Sequence, residues 1–131
     1  MRRKEKEIKS KEEIESVIQK ALVCRLGMAD ENGPYIVPLS FGYREGFLYF
    51  HCAKEGRKLD ILKKNKKVCF EFDTDHEIVE SEKACKWGMK YKSVIGFGNA
   101  FIIEDIESIK AALDVIMHII QDALLSIRMK Y

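Results

Sequence analysis

Short apolar runs joined by tight turns, with one helix crossing midway, predict a mainly β fold with flanking helices, a small antiparallel barrel. Three observations carry this. Residues 23 to 52 hold three strand-like runs separated by Asp30-Glu31-Asn32-Gly33 and Arg44-Glu45-Gly46, both with turn chemistry. Val68-Cys69-Phe70-Glu71-Phe72-Asp73 alternates apolar and polar with period two. Between them, Leu59 and Leu62 lie three apart on the face of a short helix.

In chain order, Ser10-Lys11-Glu12-Glu13 is a capping box, a hydroxyl at the N-cap with a carboxylate three residues on. Ile14, Val17, Ile18, Ala21 and Leu22 follow at helical spacing and predict an amphipathic helix to about Ala21. Val23 to Ala29 reads as a strand with Cys24, Leu26 and Met28 on one face. The second strand, Tyr35 to Tyr43, contains Pro38, which cannot donate to a ladder and so predicts an edge, a bulge or a ligand there. One economical arrangement is a strand that stops pairing at Pro38 and turns free backbone groups to a ligand. Phe47 to Cys52 is the third strand, and Asn65 is a C-terminal stop for the central helix.

Thr74 to Lys92 is the least regular stretch. Its acidic half holds Asp75, His76, Glu77, Glu80 and Glu82; its basic half holds Lys83, Lys86, Lys90 and Lys92 with Trp87, Met89 and Tyr91. It is expected to be a long ordered loop. Ser93 to Ile103 is the fifth strand, with Gly96 and Gly98 marking curvature or close packing. From Ile106, the stripe Ile109, Leu113, Ile116, Met117, Ile120 and Leu124 predicts a helix whose apolar face serves core or dimer packing.

At 131 residues the chain reads as one domain. A net charge of +2 is too small to argue for nucleic acid, and the basic N-terminal arm is interrupted by Glu5 and Glu7 and followed by no apolar signal region. The apolar stretch from Ala111 to Ile120 contains Asp114 and His118, so no membrane span is expected. Cys24, Cys52, Cys69 and Cys85 include no C-x-x-C pair; the three in strand-like runs are expected to act as small buried hydrophobes in a reducing cytoplasm. Cys69, His76 and Cys85 match no standard zinc spacing, and no metal is expected.

The sharpest chemical signal is the crossover from strand to central helix, which carries Lys54, Gly56, Arg57 and Lys58. Glycine lets a ligand approach the backbone. A helix start offers free N–H groups and partial positive charge. Two added cations suit one phosphate. The competing reading is an ordinary solvated basic face.

The runs Tyr35 to Tyr43, Leu48 to Leu62 and Ala84 to Gly98, in this order, resemble the pyridoxamine 5′-phosphate oxidase-like FMN-binding split barrels, and among them the nitroimidazole-resistance (Nim-type) proteins. The likeness extends from Met1 to about Ile120. It implies a split β-barrel that works as a homodimer with FMN in clefts at the subunit interface. By the same resemblance, Val37, Pro38, Leu39 and Ser40 would lie along the isoalloxazine ring, His51 and Cys52 beside the flavin, and Lys54, Gly56, Arg57 and Lys58 at the ribityl phosphate. Tyr91 and Ser93 would close the site. Trp87 would pack over the cleft or within the core. His51 is the candidate catalytic residue, touching substrate or assisting proton transfer; a structural histidine is the alternative.

The implied function is an FMN-dependent oxidoreductase reducing small electron-poor compounds such as nitroaromatics. A flavin-binding module without turnover, a carrier or sensor, is the alternative, and a non-flavin interaction protein on the same scaffold is a third reading. Oxidation of pyridoxamine phosphate fits poorly, because the C-terminal Trp and Arg pair of the true oxidases is not found. The related proteins continue past the last helix into a further strand. Here either Leu125 to Met129 supplies a short one, or the barrel lacks its closing strand.

Overall fold

Ser10 opens the first helix as its capping box predicts: its hydroxyl accepts a hydrogen bond from the Glu13 backbone N–H at 3.0 Å. The structure is a computed structural model in which residues 3–53 and 55–117 are described. Helix α1 (Lys11–Lys20) is followed by strands β1 (Cys24–Asp30), β2 (Gly33–Leu39), β3 (Phe41–Arg44) and β4 (Phe47–Phe50). Helix α2 (Arg57–Lys64) crosses to β5 (Lys67–Val79) and β6 (Gly88–Asn99). A third helix occupies residues 106–117. The strands form a four-stranded antiparallel sheet, ordered β2-β1-β5-β6, and a separate β3-β4 hairpin. This mainly β, two-sheet arrangement is the fold class read from the sequence.

The core lies in two clusters. Val17, Ile18, Ala21, Cys24, Phe41 and Phe72 form the first. Phe41 meets Phe72 edge to face at 4.8 Å between centroids, which adds about 0.5–1.5 kcal/mol to the burial of two rings. Leu26, Met28 and Ile61 form the second, with Tyr35, Val37, Leu39, Phe50, Leu62, Val68 and Phe70 packed around them. Burial raises the Cys24 thiol to about 12, with the charge of Glu71 as the next cause, so Cys24 acts as a small hydrophobe.

Five expectations need correction. The second strand divides at Ser40 into β2 and β3, which belong to different sheets. Pairing does not stop at Pro38: it runs through Arg25↔Pro38 to Cys24↔Leu39. The proline is tolerated because, among the described residues, β2 is an edge strand. Thr74 to Lys92 is largely a hairpin, because β5 continues to Val79 and β6 begins at Gly88. A register shift between Thr74 and Glu77, with Asp75 at φ 56°, breaks the alternation that would have revealed it. Cys52 and Cys69 are exposed, since the strand pattern puts Cys69 on the outer face and the third strand ends at Phe50. The fifth strand likewise ends at Asn99, before Ile103.

Gly96 answers the close-packing expectation. A Cβ there would come 2.1 Å from the Phe70 ring. Gly98 has no such neighbour. In the third helix Ala112 and Ile116 are buried, while Ile106, Ile109, Leu113 and Met117 are exposed. Ile120, Leu124, and the question of a strand at Leu125 to Met129, lie outside the described residues, as does Lys54.

Gly42 of β3 lets this helix approach: an added Cβ would sit 2.7 Å from the Ile116 nitrogen and 2.8 Å from the Val115 carbonyl carbon. Gly42→Ala is therefore expected to destabilise the protein by roughly 1–3 kcal/mol, measured by denaturant unfolding. Gly98→Ala, where nothing among the described residues lies within 4 Å of the new methyl, is the control and should stay within about 0.5 kcal/mol of wild type.

Candidate functional site

Gly56 sets the entry to α2. It is the N-cap, with φ 148° and ψ 169°, a region that side-chain-bearing residues rarely adopt. Among the described residues other than its two chain neighbours, no atom lies within 4 Å of where its Cβ would be, so these leave the space beside the helix start open. The helix begins its ladder with the Asp60 N–H donating to the Gly56 carbonyl at 3.1 Å, which leaves the amides of the first turn without intrahelical partners. At the other end Asn65 caps the helix as expected: its side chain donates to the Ala29 carbonyl at 3.0 Å and accepts from the Lys67 amide at 3.1 Å. Ile61 pins the middle of α2 to Leu26 and Met28.

Arg57 is exposed and Lys58 half-buried. Among the described residues neither has a carboxylate within 4.0 Å. The Arg57 guanidinium instead lies over the Tyr35 ring, 4.4 Å from its centroid. Sequence reasoning missed Tyr35, because nothing local to β2 signals a partner on a later helix; only the packing of α2 beside β2 reveals the pair.

Val37 and Leu39 point into the second core cluster, whereas Pro38 and Ser40 are exposed along the sheet edge. His51 and Cys52 are exposed just past β4, whose last residue, Phe50, packs on the same cluster. Thus Val37 and Leu39 of β2, Phe50 just before His51, and Ile61 of the helix that residues 56–58 open all meet one apolar cluster. Tyr91 and Ser93 do not join them. Both lie on β6, the opposite edge of the sheet from β2, three strand spacings or about 14 Å away. Tyr91 stacks with His76 instead, at 6.4 Å between centroids. Trp87 is not a core residue: it is 53 % exposed, and its indole N–H donates to the Ser81 carbonyl.

A charged network follows the outer face of the sheet. Arg25 Nη1 donates to Asp73 at 2.7 Å and to Glu71 at 3.2 Å, and His76 Nε2 lies 2.6 Å from Asp73. The hydrogen bond from Glu71 chiefly holds the Asp73 carboxyl below its ordinary range, helped by His76 and Arg25. Burial and then Asp73 push Glu71 up. On the same face, Ile36, Gly27, Cys69 and Phe97 align across all four strands. They border an open groove of about 630 Å³, and Ile36, Ile95 and Phe97 are 65 %, 65 % and 82 % exposed.

The sequence profile of the family described as pyridoxamine 5′-phosphate oxidase matches residues 10–128. Among solved structures, a Bacteroides thetaiotaomicron protein named for 5-nitroimidazole antibiotic resistance is 39% identical, with a TM-score of 0.76 over 86% of this chain and 67% of its own. A FAD-binding protein from Mesorhizobium loti is 26% identical, with a TM-score of 0.63 over 81% of this chain and 69% of its own. A FAD and heme binding protein from Mycobacterium smegmatis shares the fold at 18% identity, with a TM-score of 0.70 over 80% of this chain and 53% of its own. A search of curated proteins found no match. Among the described residues, no helix is long and apolar enough to cross a membrane.

The pH dependence of the network has a definite sign. Glu71 titrates higher when folded than when unfolded, so the folded state gains stability as pH falls through the folded value toward the ordinary glutamate range, and lacks that gain at pH 7. Glu71→Gln supplies the neutral form permanently and leaves Arg25 bonded to Asp73. It is expected to raise stability at pH 7 by up to about 1 kcal/mol, given the partial exposure of these groups, with the advantage vanishing near pH 4. Denaturant melts across that range check it.

Proposed function

The chain belongs to the pyridoxamine 5′-phosphate oxidase family, and from that premise we propose that it binds FMN and passes electrons to small electron-poor compounds, nitroaromatics among them, as a cytoplasmic homodimer. The observation that carries the reading is the start of α2. Two cations without carboxylate partners among the described residues stand at an open glycine and a row of free amides. These residues fit a phosphate monoester: amides and guanidinium supply directed donors, and Lys58 a point charge.

In this reading Gly56, Arg57 and Lys58, with Lys54, hold the phosphate. The unpaired backbone edge of β2 around Val37 to Ser40 faces the polar rim of the isoalloxazine ring, with Cys52 beside it. Bound flavin supplies the redox chemistry, and the protein supplies grip, orientation and exclusion of water. His51, exposed at the end of β4, delivers the proton that reduction requires. Tyr91 and Ser93, at the far edge of the sheet, serve the cleft of the partner protomer. The exposed face around Ile36, Ile95 and Phe97 is apolar enough to be buried by a second copy. A carrier without turnover remains the second reading, favoured by the exposure of His51.

Four experiments test this reading. Freshly purified protein, or protein titrated with FMN, should carry about one flavin per chain; colourless protein that takes up none overturns the reading. Arg57→Ala combined with Lys58→Ala should weaken FMN binding at least about tenfold. Turnover of a nitroaromatic with a reduced nicotinamide separates the oxidoreductase from the carrier. Phe97→Asp should convert a dimer to a monomer in sedimentation velocity, and an unchanged dimer would remove this face from the interface.

A further inference from the structure

We propose that Tyr35 is a positioning residue for the phosphate seat, holding the Arg57 guanidinium by one face so that its remaining donors meet the ligand phosphate in a set direction. This rests on the phosphate reading above and adds to it a residue from another element of the fold. The guanidinium carbon lies 4.4 Å from the Tyr35 centroid, inside the distance at which a ring attracts a cation. A stacked guanidinium engages the ring through its flat face and keeps its N–H groups at the rim. Those groups have no carboxylate within 4.0 Å among the described residues, so the contact with the ring face holds Arg57 while leaving its donors free of carboxylates.

Both partners are tied to one piece of core. Tyr35 pairs in register with Met28 of β1 and packs on the Leu26, Met28 and Ile61 cluster. Ile61 belongs to the same helix that Arg57 begins. The distance between ring and helix start is therefore set by the fold, and the arginine surrenders rotamer freedom before ligand arrives. Lys58 contributes a charge, with no comparable platform among the described residues. The result is a seat in which direction comes from the Tyr35–Arg57 stack and additional charge from Lys58. A lysine in place of Arg57 would keep the charge and lose the planar stack.

The test titrates the flavin-free 131-residue chain with FMN and with riboflavin, which lacks the phosphate. Tyr35→Phe should bind FMN within about twofold of wild type, because the ring face is retained. Tyr35→Leu and Arg57→Lys should each weaken FMN roughly 2- to 5-fold and leave riboflavin unchanged. The double variant should lose little more than either single one, since the two share one interaction. Unchanged FMN binding in Tyr35→Leu, equal losses for FMN and riboflavin, or fully additive losses in the double variant overturn the role of Tyr35. Should Tyr35→Leu fail to fold, Arg57→Lys carries the test, and its unchanged FMN affinity overturns the stack. Wild-type protein that binds FMN no tighter than riboflavin overturns the phosphate reading itself, a different result from any of these.

Discussion

The inward face of β1 is the constraint on which the rest depends. Cys24, Leu26 and Met28 alternate onto it, all nearly solvent-free. Cys24 belongs to the cluster that holds α1, β3 and β5, while Leu26 and Met28 belong to the cluster that holds α2. One strand thus joins two half-cores. A side chain the size of leucine contributes about 1.5–3 kcal/mol on burial, a large share of the stability of a domain this size. A slip of one residue in β1 would turn all three side chains to solvent. The hairpin turn at Asp30 to Gly33, where the Asn32 amide donates to the Asp30 carboxylate at 2.9 Å, holds the register.

From that strand the geometry of the candidate site follows. Ile61 seats α2 on Leu26 and Met28, and Asn65 ties the end of the helix to the Ala29 carbonyl. The start of α2 then stands beside β2, where Tyr35 supports Arg57. Packing therefore brings an aromatic ring from another strand beside one cation of a basic stretch of sequence. Arg25, Lys20, Lys64 and Lys92 each face a carboxylate. What sets the helix start apart is the Tyr35 ring beside Arg57, next to the turn at Gly56.

The outer face of the sheet has another character. Its apolar row and its Arg25, Glu71, Asp73 and His76 network lie side by side, the one unfavourable to leave in water and the other partly self-neutralised. The face thus combines an apolar centre along the groove with a polar surround. Of the exposed aromatic side chains along β6, Phe97 lies where the sequence reads a strand and Tyr91 where it reads a loop.

The sequence by itself determined the elements whose signal is local. The capping box placed the start of α1, strict alternation placed the inward residues of β1 and β5, turn chemistry placed two hairpins, and Gly56, Arg57 and Lys58 marked the basic helix start. Each rests on neighbours within a few residues, where backbone preference and side-chain period act directly. Tertiary structure decided the rest. Pro38 reads alike for an edge, a bulge or a ligand site, and only the strand order makes it an edge. The hairpin from β5 to β6 was hidden because a bulge shifts the period. The Tyr35–Arg57 stack and the distance of Tyr91 and Ser93 from the helix start depend on which strands become neighbours, and strand neighbours are selected by burial summed over the whole core rather than by any one stretch of chain.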